Sequence, residues 1–178
     1  FDEPISEWSD DRILPQGEIG EICVKGLVVT TEYKEEPEHT RNAKIQEGAE
    51  TWHRMGDVGY IDEIGRLWFC GRKAHRVTCA DDTTMFPVPC EALFNMHVDV
   101  ERSALVAVNQ EPVIIVEKVR GNQMSDAELC KELLEIAQSH ELTKRIQRVM
   151  FHPSFPVDVR HNAKIDRPKL AQWASQQA

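Results

Sequence analysis

A chain of 178 residues, 41% hydrophobic and 29% charged, has the size and balance of a soluble globular protein, either one domain or a small domain with part of another. Its formal net charge of −9 argues against a nucleic-acid backbone as partner, because such surfaces concentrate Lys and Arg, while a small bound nucleotide stays open. No apolar run reaches the length of a transmembrane segment and no charged-then-apolar stretch opens the chain as a secretory signal would, so a cytoplasmic location is expected.

Residues 17 to 33, "GEIGEICVKGLVVTTEY", are rich in apolar and β-branched residues punctuated by Gly17, Gly20 and Gly26, which predicts two short strands and a turn. "EEPEHTRNAKI" predicts a short helix with Pro37 in its first turn. From Thr51 to Cys70, alternation on both sides of "DEIG" predicts a β-hairpin. After "GRKAHRV" the pattern changes to a strand pair around Val77 and Met85, a helix through "CEALFNMH", and strands through "SALVAV" and "PVIIVEKV" separated by the turn "NQEP". "SDAELCKELLEIAQSH" predicts a helix capped by Ser125 with Glu128 three residues on, and with Leu129, Leu133 and Ile136 along its apolar stripe. "LTKRIQRV" reads as a further short helical stretch and "VMFH" as a strand. The last helix is expected from Asp166, an N-cap, with Pro168 in the first turn.

The expected fold class is α+β, with a boundary at Gly71–Arg72 that separates a β-rich region, 1–72, from an α+β region, 73–178. The opening "FDEPISEWSDDRILPQGEIGE" lacks an initiator Met, and a piece of a longer polypeptide is expected. The five cysteines form no Cys-x-x-Cys pair and the seven histidines are dispersed, so reduced, mostly buried thiols are expected and no metal site made by the protein alone.

One residue raises a sharper question. Lys164, in "HNAKIDRPKL", stands in a polar stretch immediately ahead of the terminal helix. Position alone makes it a solvating surface group, and only its company suggests more.

Three ordered segments supply that company. "GEIGEICVKGLVVTTEYKEEPEHT" resembles the strand and Tyr-x-x-x-Pro-Glu-x-Thr segment of the adenylate-forming enzymes, the superfamily of acyl-CoA synthetases, peptide-synthetase adenylation domains and beetle luciferases. "WHRMGDVGYIDEIGRLWFCGRK" resembles their (Tyr/Trp)-(Arg/His)-x-Thr-Gly-Asp segment followed by Gly-Arg. "PVDVRHNAKIDRPKL" resembles their C-terminal segment ending in Gly-Lys-(Ile/Leu)-Asp-Arg.

The resemblance implies that 1–72 is the C-terminal β-rich subdomain of a large adenylation domain and 73–178 a small mobile domain. It implies that Asp57 accepts hydrogen bonds from the ribose hydroxyls of ATP, a fitting pairing because a carboxylate only accepts and two vicinal hydroxyls donate. Arg72 is implied near the ribose and phosphate, Ala74 at the hinge, and Lys164 as the catalytic lysine that reaches the substrate carboxylate and the nucleotide. The implied reaction is ATP-dependent activation of a fatty or hydroxy-fatty acid. Adenylation brings two anions together, and one lysine at about 4 Å in an effective dielectric of about 20 contributes roughly 4 kcal/mol of attraction. The implied ligands are a carboxylic acid, ATP and Mg²⁺, the last two bound mainly by a missing N-terminal part, so the fragment is expected to be inactive alone. Assembly with other lipid-biosynthesis enzymes fits the same resemblance.

Departures from the family pattern are Met55 for its Thr, Ala74 at the hinge and Ala163 for its Gly. No glycine lies between Gly71 and Gly121, where acyl-CoA synthetases carry a Gly-Gly loop lining the path of coenzyme A, so CoA as a cosubstrate is in question. That stretch, with "GRKAHRV", "PVPCEALFN" and "FHPSFPVDVRHNAKI", looks like the β-lactone synthetases of bacterial olefin biosynthesis. In these a 2-alkyl-3-hydroxy acid closes through its own adenylate without CoA. His75, Arg76 and Cys90 lie in it with no assigned role. The reading from a different class is a non-catalytic interaction module.

Overall fold

The computed structural model describes residues 2–158 and 164–177. The chain divides into two compact units, Phe1–Ala74 and His75–Ala178.

The first unit is organised by one long strand. Its elements are β1 (Gly20–Lys25), α1 (Pro37–Ala43), β2 (Lys44–Glu47), β3 (Glu50–Ile61) and β4 (Leu67–Arg72). β1 takes one edge of β3, antiparallel, with Cys23 opposite Arg54. The other edge is shared: β2 pairs with the first part of β3, and β4 with the last. The expected hairpin around "DEIG" is present as β3–β4. Its turn is tied by Asp62, whose Oδ1 accepts the N–H groups of Ile64 and Arg66 at 3.1 and 2.8 Å. The Trp68 indole, with those donors, draws the Asp62 carboxyl down to about 2.

The two strands expected within 17–33 are one. The chain leaves the sheet at Gly26, whose φ of +149° few side chains tolerate, and Leu27 and Val28 are exposed. The reason is competition for edges, since Trp52 and His53 on β3 are already paired with β1 on one side and β2 on the other. β2 itself falls in a stretch expected as the end of α1. Ile45 is buried there, and the turn to β3 is made by Gly48 at φ +59°.

The second unit contains β5 (Val77–Thr78), β6 (Thr84–Met85), α2 (Pro87–Phe94), β7 (Val100–Val108), β8 (Glu111–Lys118), α3 (Asp126–Ser139), β9 (Arg148–Phe151) and α4 (Arg167–Gln176). β5 and β6 form a two-stranded ribbon, and β7-β8-β9 a three-stranded sheet in that order. β7 and β8 are antiparallel and β8 and β9 parallel. Asn109 and Gln110, at φ +52° and +63°, make the two-residue turn between β7 and β8, a backbone whose twist matches the strands.

Alternation along β7 and β8 makes two cores. Leu105, Ile114 and Val116 pack with Phe94 of α2 and Leu129 and Leu133 of α3. Ala104, Val106, Val113 and Ile115 pack with Phe155 and with Leu170 and Ala174 of α4. A sheet covered on both faces explains why these strands read as unbroken apolar runs.

Two expectations shift. α2 starts at Pro87 rather than Cys90, with Pro87 and Pro89 in its first turn, where backbone N–H groups have no partner within the helix. The stretch "LTKRIQRV" is a set of turns leading into β9, not a helix. Thr143 is buried and donates its hydroxyl to the Ala137 carbonyl at 2.9 Å, Ile146 is buried in the core, and Arg148 pairs with Val113. Those tertiary commitments override local helical preference. The capping box of α3 is as expected: Ser125 Oγ accepts from the Glu128 N–H at 3.2 Å, and Glu128 accepts from the Ser125 N–H at 3.1 Å.

Candidate active site

Asp57 and Arg72 meet across β3 and β4. They are paired directly in the antiparallel register, which slips by one residue between Val58 and Gly59. The slip is a bulge, and it sets which side chains oppose one another at the strand ends. Gly59 permits the approach, because a Cβ there would stand 2.4 Å from the Trp68 carbonyl oxygen.

Nη1 of Arg72 lies 3.1 Å from Asp57 Oδ1 and also donates to the Met55 carbonyl at 3.1 Å. The contact with Asp57 is electrostatic and poorly aligned for a hydrogen bond. Asp57 Oδ1 is shielded from solvent yet accepts no hydrogen bond in the structure. Buried carboxylate oxygens normally have donors, so this atom is an acceptor waiting for one.

Behind this pair lies a charge network that sequence reading missed. Arg54, buried, donates through Nε and Nη2 to Glu21 Oε2 at 3.0 and 2.6 Å and through Nη1 to the carbonyls of Glu3 and Asn42. Lys73 adds a third contact to the same oxygen at 3.0 Å. Burial alone would raise the Glu21 carboxyl, but hydrogen bonds and charge from Arg54 and Lys73 outweigh it and hold it below its ordinary value. Ala74 follows in the 3-10 turn Lys73–His75, where the first compact unit ends.

Lys164 belongs to the second unit, and its side chain is exposed. Its backbone is held. Val157 and Ile165 form an antiparallel bridge, the Asp158 N–H donates to the Lys164 carbonyl at 2.9 Å, and the Asp166 N–H donates to the Pro156 carbonyl at 2.8 Å. Asp166 caps α4 as expected, accepting the Lys169 N–H at 3.2 Å. Ala163, the departure beside the lysine, lies outside the described residues.

The anchors of this stem were also missed. Phe155, buried at its start, donates its N–H to Glu117 Oε2 at 2.7 Å, and Arg102 holds the same carboxylate at 2.8 Å. Burial opposes ionisation of Glu117, but these donors keep its carboxyl low. Arg167, at the far end, forms a two-pronged pair with Glu91 of α2. No spacing rule links residues 76 positions apart, so the only signal was the presence of a Glu on an otherwise apolar helix.

Cys90 is buried and donates to the Leu142 carbonyl at 3.4 Å, and burial raises the thiols of Cys23, Cys70 and Cys79. Raised thiols are poor nucleophiles, because the thiolate is the reactive form. Among the described residues, no group of three or more His, Cys, Asp or Glu side chains could hold a metal ion. No helix among them is long and apolar enough to cross a membrane.

No family model matches the chain. An olefin β-lactone synthetase of Xanthomonas campestris is 48% identical across 99% of the chain. The chain belongs to the adenylate-forming enzymes. A second olefin β-lactone synthetase, from Stenotrophomonas maltophilia, is 44% identical across 98% of the chain. The chain spans 33% of the length of each of these relatives. CoA ligases also match, at 26% to 35% identity. Among solved structures, the amide bond synthetase McbA from Marinactinospora thermotolerans superposes with a TM-score of 0.76 at 25% identity, covering 96% of this chain and 34% of that one. The α+β fold is thus that of the C-terminal region of adenylate-forming enzymes.

Proposed function

We propose that this chain is the C-terminal part of an ATP-dependent enzyme that activates a long-chain 2-alkyl-3-hydroxy acid as its acyl-adenylate and closes it to a β-lactone. In the first step a carboxylate oxygen of the acid attacks the α-phosphorus of ATP, the bond to the β-phosphate breaks, and pyrophosphate leaves. In the second, the 3-hydroxyl oxygen attacks the acyl carbon, the bond to AMP breaks, and the hydroxyl proton passes to water. The nucleophile of the second step is tethered to its target and needs no further association entropy.

The observation that carries the adenylation reading is the Asp57 oxygen, shielded and without a hydrogen-bond donor. A ribose hydroxyl is a donor of the right kind, and Arg72 beside it adds positive charge for the phosphates. Lys164 supplies the mobile cation for the two reacting anions, and Ala74 is the hinge between the units. Mg²⁺ bound with ATP would neutralise phosphate charge.

For lactone closure the support is the similarity of 48% and 44% to olefin β-lactone synthetases, together with the glycine-free run from Arg72 to Arg120. A second reading, transfer of the acyl group to coenzyme A, is favoured by the CoA ligases among the relatives.

The experiment incubates the longer enzyme that carries this chain with ATP, Mg²⁺ and a 2-alkyl-3-hydroxy acid, with and without coenzyme A. A product lighter than the acid by one water, made without coenzyme A, supports lactone closure. A thioester made only with coenzyme A supports the second reading. Absence of pyrophosphate release under every condition leaves a non-catalytic module.

A further inference from the structure

We infer that the Glu91–Arg167 pair is a positioning device for Lys164, clamping the first residue of α4 to α2 and so fixing the stem from which the lysine projects. The inference rests on the catalytic reading of Lys164 above.

Glu91 is inside the second unit, with its side chain 9% exposed, and that of Arg167 is 14% exposed. Arg167 Nη1 and Nη2 reach Glu91 Oε1 and Oε2 at 2.5 and 2.8 Å, a fork on a carboxylate. Oε1 also accepts the Leu105 N–H at 2.7 Å, and Arg167 Nη1 reaches the Leu105 carbonyl at 3.4 Å. Because β7 is an edge strand, these contacts cap its open backbone groups while they seat the arginine. α2, β7 and α4 are joined at one point.

Lys164 is three residues from that point. Ile165 packs against the core under α4, and the Asp166 N–H is bound to the Pro156 carbonyl. Between the clamp and the lysine, the carbonyls of Lys164 and Ile165 accept the N–H groups of Asp158 and Arg167, and Val157 bridges Ile165. The lysine side chain itself is exposed. A rigid stem with a free head suits a group that must reach a reacting centre in one direction.

Stability alone is a weak explanation for the clamp. Taking a carboxylate and a guanidinium out of water costs nearly what their attraction returns, and apolar pairs of similar volume often serve a fold as well. A clamp of two matched forks gives orientation that apolar contacts do not.

The test uses the longer enzyme in four forms: natural, Lys164→Ala, the pair Glu91→Met with Arg167→Met, and all three changes together. A methionine pair fills similar volume without charge. A misplacement of an ångström typically costs about a hundredfold in rate, so the methionine pair should lower kcat for pyrophosphate release about a hundredfold and leave KM for ATP near its natural value. Added to Lys164→Ala, it should cost nothing further, because the group it positions is gone. Amide exchange at Asp158 and Asp166 should quicken while that of Glu128 in α3 does not.

A methionine pair with the natural rate, beside a slow Lys164→Ala, overturns the inference. Equal fractional losses in both backgrounds overturn it too. A full rate in Lys164→Ala instead overturns the catalytic reading, and the inference falls with it. Should the methionine pair unfold, Arg167→Lys takes its place, keeping the charge but not the fork, with the same loss and the same non-additivity expected.

Discussion

The proposed function gives Asp57 and Lys164 parts in one reaction, and the structure mounts them in opposite ways. Asp57 sits in the last part of a twelve-residue strand, opposite Arg72, with a strand on each side of its neighbour Val58. Its side chain is short, 21% exposed, and presents an oxygen shielded from solvent. Lys164 is exposed, with a long side chain and a backbone carbonyl that accepts the Asp158 N–H. Recognition of a ground-state hydroxyl asks for a fixed acceptor. Assistance to a transition state asks for reach combined with direction, and in the proposed roles the held backbone would give direction and the side chain reach.

Removal of the reaching group is the hardest blow to this comparison. Loss of one preorganised transition-state donor typically costs about a hundredfold to a thousandfold in kcat, and Lys164→Ala should lose that much in adenylate formation, followed as pyrophosphate release. Lys164→Arg keeps charge on a broader, planar head and should recover part of the rate. A full rate in Lys164→Ala leaves the lysine a surface group.

The fixed acceptor should fail differently. Asp57→Asn keeps the shape, removes the charge and turns one acceptor into donors. A hydrogen bond to a charged group contributes roughly 1.5–3 kcal/mol, so KM for ATP should rise about tenfold to a hundredfold while kcat falls less. The sharper readout is 2′-deoxy-ATP and 3′-deoxy-ATP. The natural enzyme should prefer ATP to both, and Asp57→Asn should lose most of that preference. Preference kept in full would remove Asp57 from the ribose.

How the two mounts could be read from sequence also differs. The hairpin that carries Asp57 was legible, because alternation and a turn signal are local properties of "WHRMGDVGYIDEIGRLWFC". So were the capping box at Ser125 and the cap at Asp166. The bulge was not, since it depends on Cys70 finding no partner across the ladder. Edge competition was equally hidden: residues 27–33 carry strand-like composition, and only the full sheet shows that Trp52 and His53 are already paired on both sides. The resemblance to a family singled out Asp57, Arg72 and Lys164, whereas Glu91 with Arg167 and Glu21 with Arg54 are long-range pairs that no period announces. Helical preference misled at "LTKRIQRV", where burial of Thr143 and Ile146 decides the path.

A milder perturbation tests the sheet-mounted half through its geometry. Gly59→Ala would bring a Cβ within 2.4 Å of the Trp68 carbonyl oxygen, so β3 and β4 must part locally. Overpacking of this kind costs about 1–3 kcal/mol, and thermal unfolding should register it. Because the bulge beside Gly59 sets Asp57 opposite Arg72, KM for ATP should rise too. A stable Gly59→Ala protein with unchanged KM would mean that the opposition of these two residues is incidental.

The smallest effect contrasts two carboxylates, half-buried Glu21 and buried Glu91, by pH. Glu21 faces Arg54 and Lys73 and has its carboxyl held below the ordinary 4.5. The folded protein therefore binds that proton less readily than the unfolded chain, and the stabilisation is present above 4.5 and lost as pH falls through the lowered value. Glu91 has the opposite sign: burial raises its carboxyl above 4.5, with Arg167 and the Leu105 N–H opposing. The folded state then holds the proton more readily, so this group's contribution is complete below 4.5 and declines as pH rises through the raised value. Urea unfolding midpoints followed from pH 7 to pH 3 should separate them. Relative to the natural chain, Glu21→Gln should lose less stability on acidification, and Glu91→Gln should lose more. Parallel curves for the two variants would show that Arg167 matches the Glu91 charge as completely as Arg54 and Lys73 match that of Glu21, and the contrast between the two anchors would then be one of place alone.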